Sequence, residues 1–158
     1  MDRHIESADY NFLTMKTWRV YAGPFRDAPF KGVFNVNLQA EPQEGYAPIH
    51  YRLPIQDFGI PTVRAASFAC AMIIYQKVAR RREVYIGCRG GIGRTGLVLS
   101  LLTKIIFNVS GKDAIHYVRM QYYREAVETS AQQKFIEDFP VRSLRYLFKA
   151  CKIVSSLY

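Results

Sequence analysis

Apolar positions change period several times along the chain. "TWRVYA" (17–22), "GVFNVNL" (32–38) and "IHYRLPI" (49–55) are rich in branched and aromatic residues and separated by Gly and Pro, which predicts three strands. "TVRAASFACAMIIYQKVARR" (62–81) reads as a helix entered at Pro61, apolar round most of its surface and so expected against a sheet. "EVYIGC" is the next strand. "GRTGLVLSLLTKIIF" follows as a helix apolar on every side, which predicts a central position. "SGKDAIHYVRMQYY" (110–123) opens on a capping Ser, and "TSAQQKFIEDF" (129–139) looks like another helix start. From Pro140 onward, Val141, Leu144, Phe148, Cys151 and Val154 form an apolar stripe beside a cationic one of Arg142, Arg145, Lys149 and Lys152.

Strands that alternate with helices predict an α/β fold: a single domain with a central, mostly parallel twisted sheet of about four to five strands and helices on both faces. The expected organisation is an N-terminal extension over 1–16 and one domain over 17–158 that includes a basic C-terminal helix. Ligands of such sheets bind at the carboxyl ends of the strands, which draws attention to the turn after "EVYIGC".

Composition narrows the partners. The 158 residues carry a formal charge of +9, which favours anions such as phosphorylated proteins, nucleic acid or acidic lipid. Cys70, Cys88 and Cys151 are odd in number and form no C-x-x-C pair, which suits a reducing compartment rather than a disulfide framework. His4, His50 and His116 are scattered, so neither a metal centre nor any other cofactor is expected. "MDRHIESADYNF" lacks the pattern of a signal peptide, and the apolar stretch Thr95 to Val109 is broken by Ser100 and Lys104. The expectation is a cytoplasmic protein.

The candidate chemistry lies in "CRGGIGR" (88–94). After a strand, Gly90, Gly91 and Gly93 let successive amides converge on one point, together with those of Arg89, Ile92 and Arg94, as an anion-binding nest. The helix that follows adds its positive dipole end there. A cysteine at that point sits in a field that favours the nucleophilic thiolate. Arg94 closes the loop and is able to grip two phosphate oxygens in a fork. No Lys follows Gly93, so the lysine-bearing nucleotide loop is excluded.

"CRGGIGRTG" (88–96) resembles the signature of the cysteine-dependent protein phosphatases, most of all the small, atypical dual-specificity branch. The resemblance implies a protein tyrosine phosphatase-like fold and hydrolysis of phosphotyrosine, phosphoserine or phosphothreonine in proteins. By it Cys88 forms a phosphocysteine, Arg94 binds phosphate and stabilises the transition state, and Thr95 helps the thiolate leave. Such a mechanism needs a general acid on a separate mobile loop. "LPIQDFGIP" (53–61) supplies Asp57 and is similar to that branch's acid loop. "AVETSAQQKF" (126–135) resembles the family's Glu-Thr-x-x-Gln stretch, by which Gln132 is expected to orient the hydrolytic water. "RMQYYREA" departs from the family pattern, so no role passes to Arg119 or Arg124.

The pattern is also broken beside the nucleophile. The family has histidine there, and this chain has Gly87. With less support for the thiolate, reduced rather than absent activity is expected. An inactive phosphate-binding module is the rival reading, although Cys88, Arg94 and Asp57 are all retained. Arg89 inside the loop favours a highly anionic target, which keeps RNA 5′-phosphates and phosphoinositides open as alternatives. The stripe of Arg142, Arg145, Lys149 and Lys152 faces solvent or meets nucleic acid or an acidic membrane surface.

Overall fold

The computed structural model describes residues 11–15 and 18–158. Five strands, β1 (Asn11–Met15), β2 (Trp18–Pro24), β3 (Val33–Gln39), β4 (Tyr51–Ile55) and β5 (Glu83–Cys88), form one sheet in the order β1-β2-β5-β3-β4. β1 pairs antiparallel with β2, and the other pairings are parallel. β5, last in sequence, is central in space. Its end at Cys88 lies beside Pro24 of β2, and Gly87 lies opposite Asn37 of β3. The nucleophile candidate therefore leaves the sheet at its middle, on the carboxyl edge.

Alternation along the strands separates two faces. Val84, Ile86 and Cys88 join Phe34, Val36, Leu38, Val20 and Ala22 in the main core. Every α-helix buries its apolar residues in that same core. These are α1 (Val63–Ile74, continued by a π-turn over Tyr75–Ala79), α2 (Gly93–Phe107), α3 (Gly111–Gln121), α4 (Ser130–Asp138) and α5 (Arg142–Ser156). Tyr85 and Val33 face the other way, into a small cluster with Phe25, Ala28 and Ala47. This corrects the expectation of helices on both faces. Parallel strands are joined by right-handed crossovers, so connections that step across the sheet in opposite directions lie on opposite faces. Only β4→β5 steps back, and it carries α1. The forward steps, residues 25–32 and 40–50, are short and hold only a 3-10 turn at Phe25–Asp27. Asn35 ties them down, donating to the carbonyls of Pro29 (2.6 Å) and Pro48 (3.1 Å).

Much of the predicted pattern is present. α2 is central, with every residue from Gly93 to Ile106 buried. Thr62, Ser110 and Thr129 cap α1, α3 and α4. On α5, Leu144, Phe148 and Cys151 are buried, whereas Val154 is exposed. α1 is less enclosed than its composition suggests, since Phe68 and Val63 remain exposed. β1 is a strand that the sequence pattern does not announce. The rest of the expected N-terminal extension, His4 included, lies outside the described residues. Among the described residues, no helix is long and apolar enough to cross a membrane.

Lys104 explains how a lysine sits in a helix buried on all sides. Its Nζ donates to the carbonyls of Ile136 (2.9 Å), Glu137 (2.7 Å) and Phe139 (2.9 Å). These belong to the end of α4, whose last carbonyls have no helical partner. Burial pushes the Lys104 pKa down, and three acceptors hold the ammonium in place. Lys104→Met fills the same space and strands those carbonyls, at a cost of about 1–3 kcal/mol. Urea denaturation is expected to show a lower midpoint with an unchanged slope. A midpoint equal to that of the parent protein contradicts the capping role.

Candidate active site

The loop between β5 and α2 folds round Cys88. The Gly91 amide donates to Sγ at 3.2 Å and the Thr95 hydroxyl at 3.1 Å, while Thr95 Oγ1 accepts from the Cys88 amide at 3.0 Å. Gly91 has φ +72°, a conformation that side chains resist. Packing restricts it further, since a Cβ there would lie 2.4 Å from the Gly23 carbonyl carbon and 2.6 Å from the Pro24 nitrogen. Gly87 is held by the same neighbours. A Cβ on it would meet the Gly23 carbonyl oxygen at 2.7 Å and the Phe25 backbone at 3.0 Å. The missing histidine thus has a structural cause, because the end of β2 fills its place. Two tyrosines brace the arrangement. Tyr85 donates to the Pro24 carbonyl at 2.8 Å, and Tyr122 donates to the Gly91 carbonyl at 2.6 Å. Burial pushes the Tyr122 pKa up and keeps it a donor.

Arg94, 2% exposed, is oriented from three directions. Glu41, just past β3, accepts from Nη1 at 2.7 Å and from Nη2 at 2.8 Å. The Ile55 carbonyl at the end of β4 accepts from Nη1 at 3.0 Å. Asp57 Oδ1 lies 3.3 Å from Nη2. The guanidinium holds the Glu41 carboxyl far below its ordinary pKa of 4.5, at about 2, against the opposing effect of burial. Burial opposes the charge of Arg94 as well, but Glu41, with Cys88 and Asp57 nearby, more than offsets it and raises the Arg94 pKa.

Asp57 lies on a tight turn after β4. Phe58 adopts φ +59°, its amide donates to Asp57 Oδ1 at 3.1 Å, and the Gly59 amide donates to the Gln56 carbonyl at 2.9 Å. The start of α4 clasps this turn from outside. Thr129 Oγ1 donates to the Phe58 carbonyl at 3.4 Å and Gln132 Nε2 to the Gly59 carbonyl at 3.2 Å. Gln132 Oε1 meanwhile accepts from the amides of Glu128 (2.8 Å) and Thr129 (3.2 Å). Gln132 is fully buried and does not line the cleft. Both ends of the Gln132 amide are thus occupied, and they tie the start of α4 to the turn that carries Asp57.

A cleft of about 340 Å³ opens over the loop, lined by Arg26, Asp57, Phe58, Cys88, Arg89, Gly90, Ile92, Gly93, Arg94 and Glu128. The structure thus brings Cys88, Arg94, Asp57 and most of the predicted nest together. Gly91 stays behind the thiol, and Thr95 supports it from the first turn of α2. Glu41, Arg26, Phe58 and Tyr122 were not found by sequence reasoning. Glu41 had one signal, an acid at the carboxyl end of a predicted strand; Arg26 and Tyr122 had none. Among the described residues, no group of three or more His, Cys, Asp or Glu is placed to hold a metal ion. Cys70 is fully buried in the core, where desolvation pushes its thiol up to about 12 and leaves it unreactive.

A family model described as the polymorphic toxin system DSP-PTPase phosphatase, Tc-R-P, matches residues 28–107, which hold the acid turn, the cysteine loop and α2. The chain belongs to this phosphatase family. It is 40% identical over 88 residues to the uncharacterized protein MJ0215 of Methanocaldococcus jannaschii, a match covering 55% of this chain and 52% of that protein. The chain spans about half the length of the curated relatives it matches. Its fold is that of Tk-PTP in the active form (TM-score 0.55, 24% identity, 74% of this chain and 78% of that one). It is also that of DUSP15 (TM-score 0.66, 16% identity, 85% and 90%). Sequence thus places the chain in a DSP-PTPase phosphatase family, and its fold is shared with solved phosphatases.

Two outcomes follow from this geometry. Gly87→His restores the family residue but drives a side chain into the β2 backbone. It is expected to destabilise the fold by about 1–3 kcal/mol in thermal denaturation and to lower activity; a gain in activity contradicts the packing account. Glu41 has a folded pKa of about 2 against an ordinary 4.5, so its contribution is complete above pH 4.5 and disappears as pH falls toward 2. Glu41→Gln is expected to remove that part of the pH–stability profile and to cost about 1–3 kcal/mol at neutral pH. A Glu41→Gln profile that parallels the parent's across this window contradicts the pairing.

Proposed function

We propose that the chain hydrolyses phosphate monoesters of proteins, on tyrosine and on serine or threonine, through a phosphocysteine at Cys88. The observation that carries this reading is the pair of donors on Sγ, Gly91 N and Thr95 Oγ1, beside a guanidinium that also meets Asp57. Arg94 and the loop amides hold the phosphoryl oxygens, so that Sγ attacks phosphorus in line with the leaving oxygen. Asp57, in its acid form, protonates that oxygen as the P–O bond breaks. The carboxylate left behind then takes a proton from water as the water attacks the phosphocysteine. The S–P bond breaks, phosphate departs, and the Thr95 hydroxyl stabilises the returning thiolate.

Phe58 favours a peptide substrate. It lies in the cleft wall next to the acid, 57% exposed, where an aromatic or alkyl leaving group packs against it. Hydrolysis of p-nitrophenyl phosphate is expected for the parent protein and none for Cys88→Ser. Asp57→Asn is expected to slow phenyl phosphate, a poor leaving group, by roughly 10²–10⁴-fold and p-nitrophenyl phosphate much less. Equal rates for the parent and Cys88→Ser would mean a phosphate-binding module. Release of phosphate from 5′-phosphorylated RNA or phosphoinositides, with none from phosphopeptides, overturns the protein-substrate reading.

A further inference from the structure

Two arginines on the cleft rim serve no step of this mechanism. Arg26 comes from the 3-10 turn after β2 and Arg89 from the cysteine loop, and both line the cleft. Glu44, from the β3–β4 connection, spans them: its Oε1 lies 3.1 Å from Arg89 Nη2 and its Oε2 3.7 Å from Arg26 Nη1. All three side chains are about half exposed. Ion pairs this open to water are worth little, so the carboxylate is readily displaced by a better anion. We infer that Arg26 and Arg89 form a second anion site, occupied by Glu44 as an internal stand-in, which takes a carboxylate or second phosphate near the scissile phosphate of a peptide. This inference rests on the protein-phosphatase reading above and names its substrate class.

Local charge limits the site to one group. Asp27 lies 4.0 Å from Arg26 Nε, and Asp57 and Glu128 stand elsewhere on the cleft. A continuous polyanion meets repulsion there, whereas a single flanking anion fits between the arginines. The overall charge of +9 therefore steers anions toward the molecule, and this pair selects among them.

The test compares three phosphotyrosyl peptides of one sequence: neutral flanks, a flanking Glu, and a flanking phosphoserine. The parent protein is expected to favour both charged peptides over the neutral one by roughly 1.5- to 5-fold in kcat/KM, mainly through KM. The doubly phosphorylated peptide is expected to lead. That preference is expected to shrink toward one in Arg26→Ala and in Arg26→Ala/Arg89→Ala, and in the parent at high salt. It is expected to grow in Glu44→Gln. Equal kcat/KM for neutral and charged peptides, or a preference that survives the double substitution, overturns the rim site. Calorimetric binding of the same peptides to Cys88→Ser separates the two claims. Selective binding of charged peptides with no turnover by the parent keeps the rim site and removes the phosphatase reading. An effect of Arg26→Ala that is larger on 5′-phosphorylated RNA or inositol phosphates than on peptides overturns the assignment to peptides.

Discussion

The end of β2 lies against the cysteine loop with no room between the two backbones for a side chain. Gly23, Pro24 and Phe25 on one side meet Gly87 and Gly91 on the other at distances that a single Cβ would violate. That contact fixes how the chain leaves β5, which amide reaches Cys88 Sγ, and where the first turn of α2 begins. It also accounts for the glycine before the cysteine: at residue 87 the room for a side chain is taken by backbone. Tyr122, just past the end of α3, donates to the Gly91 carbonyl a hydrogen bond that steadies the loop.

Strand ends supply the electrostatics. Arg94 is bound by Glu41 from the end of β3 and by the Ile55 carbonyl from the end of β4, and it meets Asp57 on the turn just beyond. Arg94, Cys88 and Asp57 are thus registered to one another through the ends of the sheet strands. Gln132 and Thr129 then hold the acid turn to α4. A site built in this way is organised before any substrate arrives, which is what electrostatic catalysis requires.

The sequence carried this site unevenly. "CRGGIGRTG" was legible because its chemistry is local: nest, helix end and nucleophile are all within one turn of the chain. Asp57 was singled out by the resemblance of "LPIQDFGIP" to the dual-specificity branch's acid loop, and the fold sets it 3.3 Å from Arg94 Nη2. Glu41 and Arg26 were not legible, since each matters only through a partner far away in sequence, and nothing local marks an acid or an arginine that the fold brings to the cleft. Gln132 was found, but its bonds to the amides of Glu128 and Thr129 and to the Gly59 carbonyl were not legible, because sequence identifies an amide without saying which backbone groups will occupy it. The helices were foreseen, but the face they occupy was not. That depends on the direction of each crossover, and strand order is a property of the whole sheet. Gly87 was seen as a loss, and only the proximity of Gly23 and Phe25 turns it into a packing requirement.

The most direct measurement is rapid-quench mass spectrometry of the parent protein and Asp57→Asn during turnover of a phosphotyrosyl peptide. One phosphoryl group on the fragment containing Cys88, formed and lost at the rate of turnover and absent from Cys88→Ser, is the predicted result. Turnover with no phosphoryl group on Cys88, or with one on any other residue, contradicts the account.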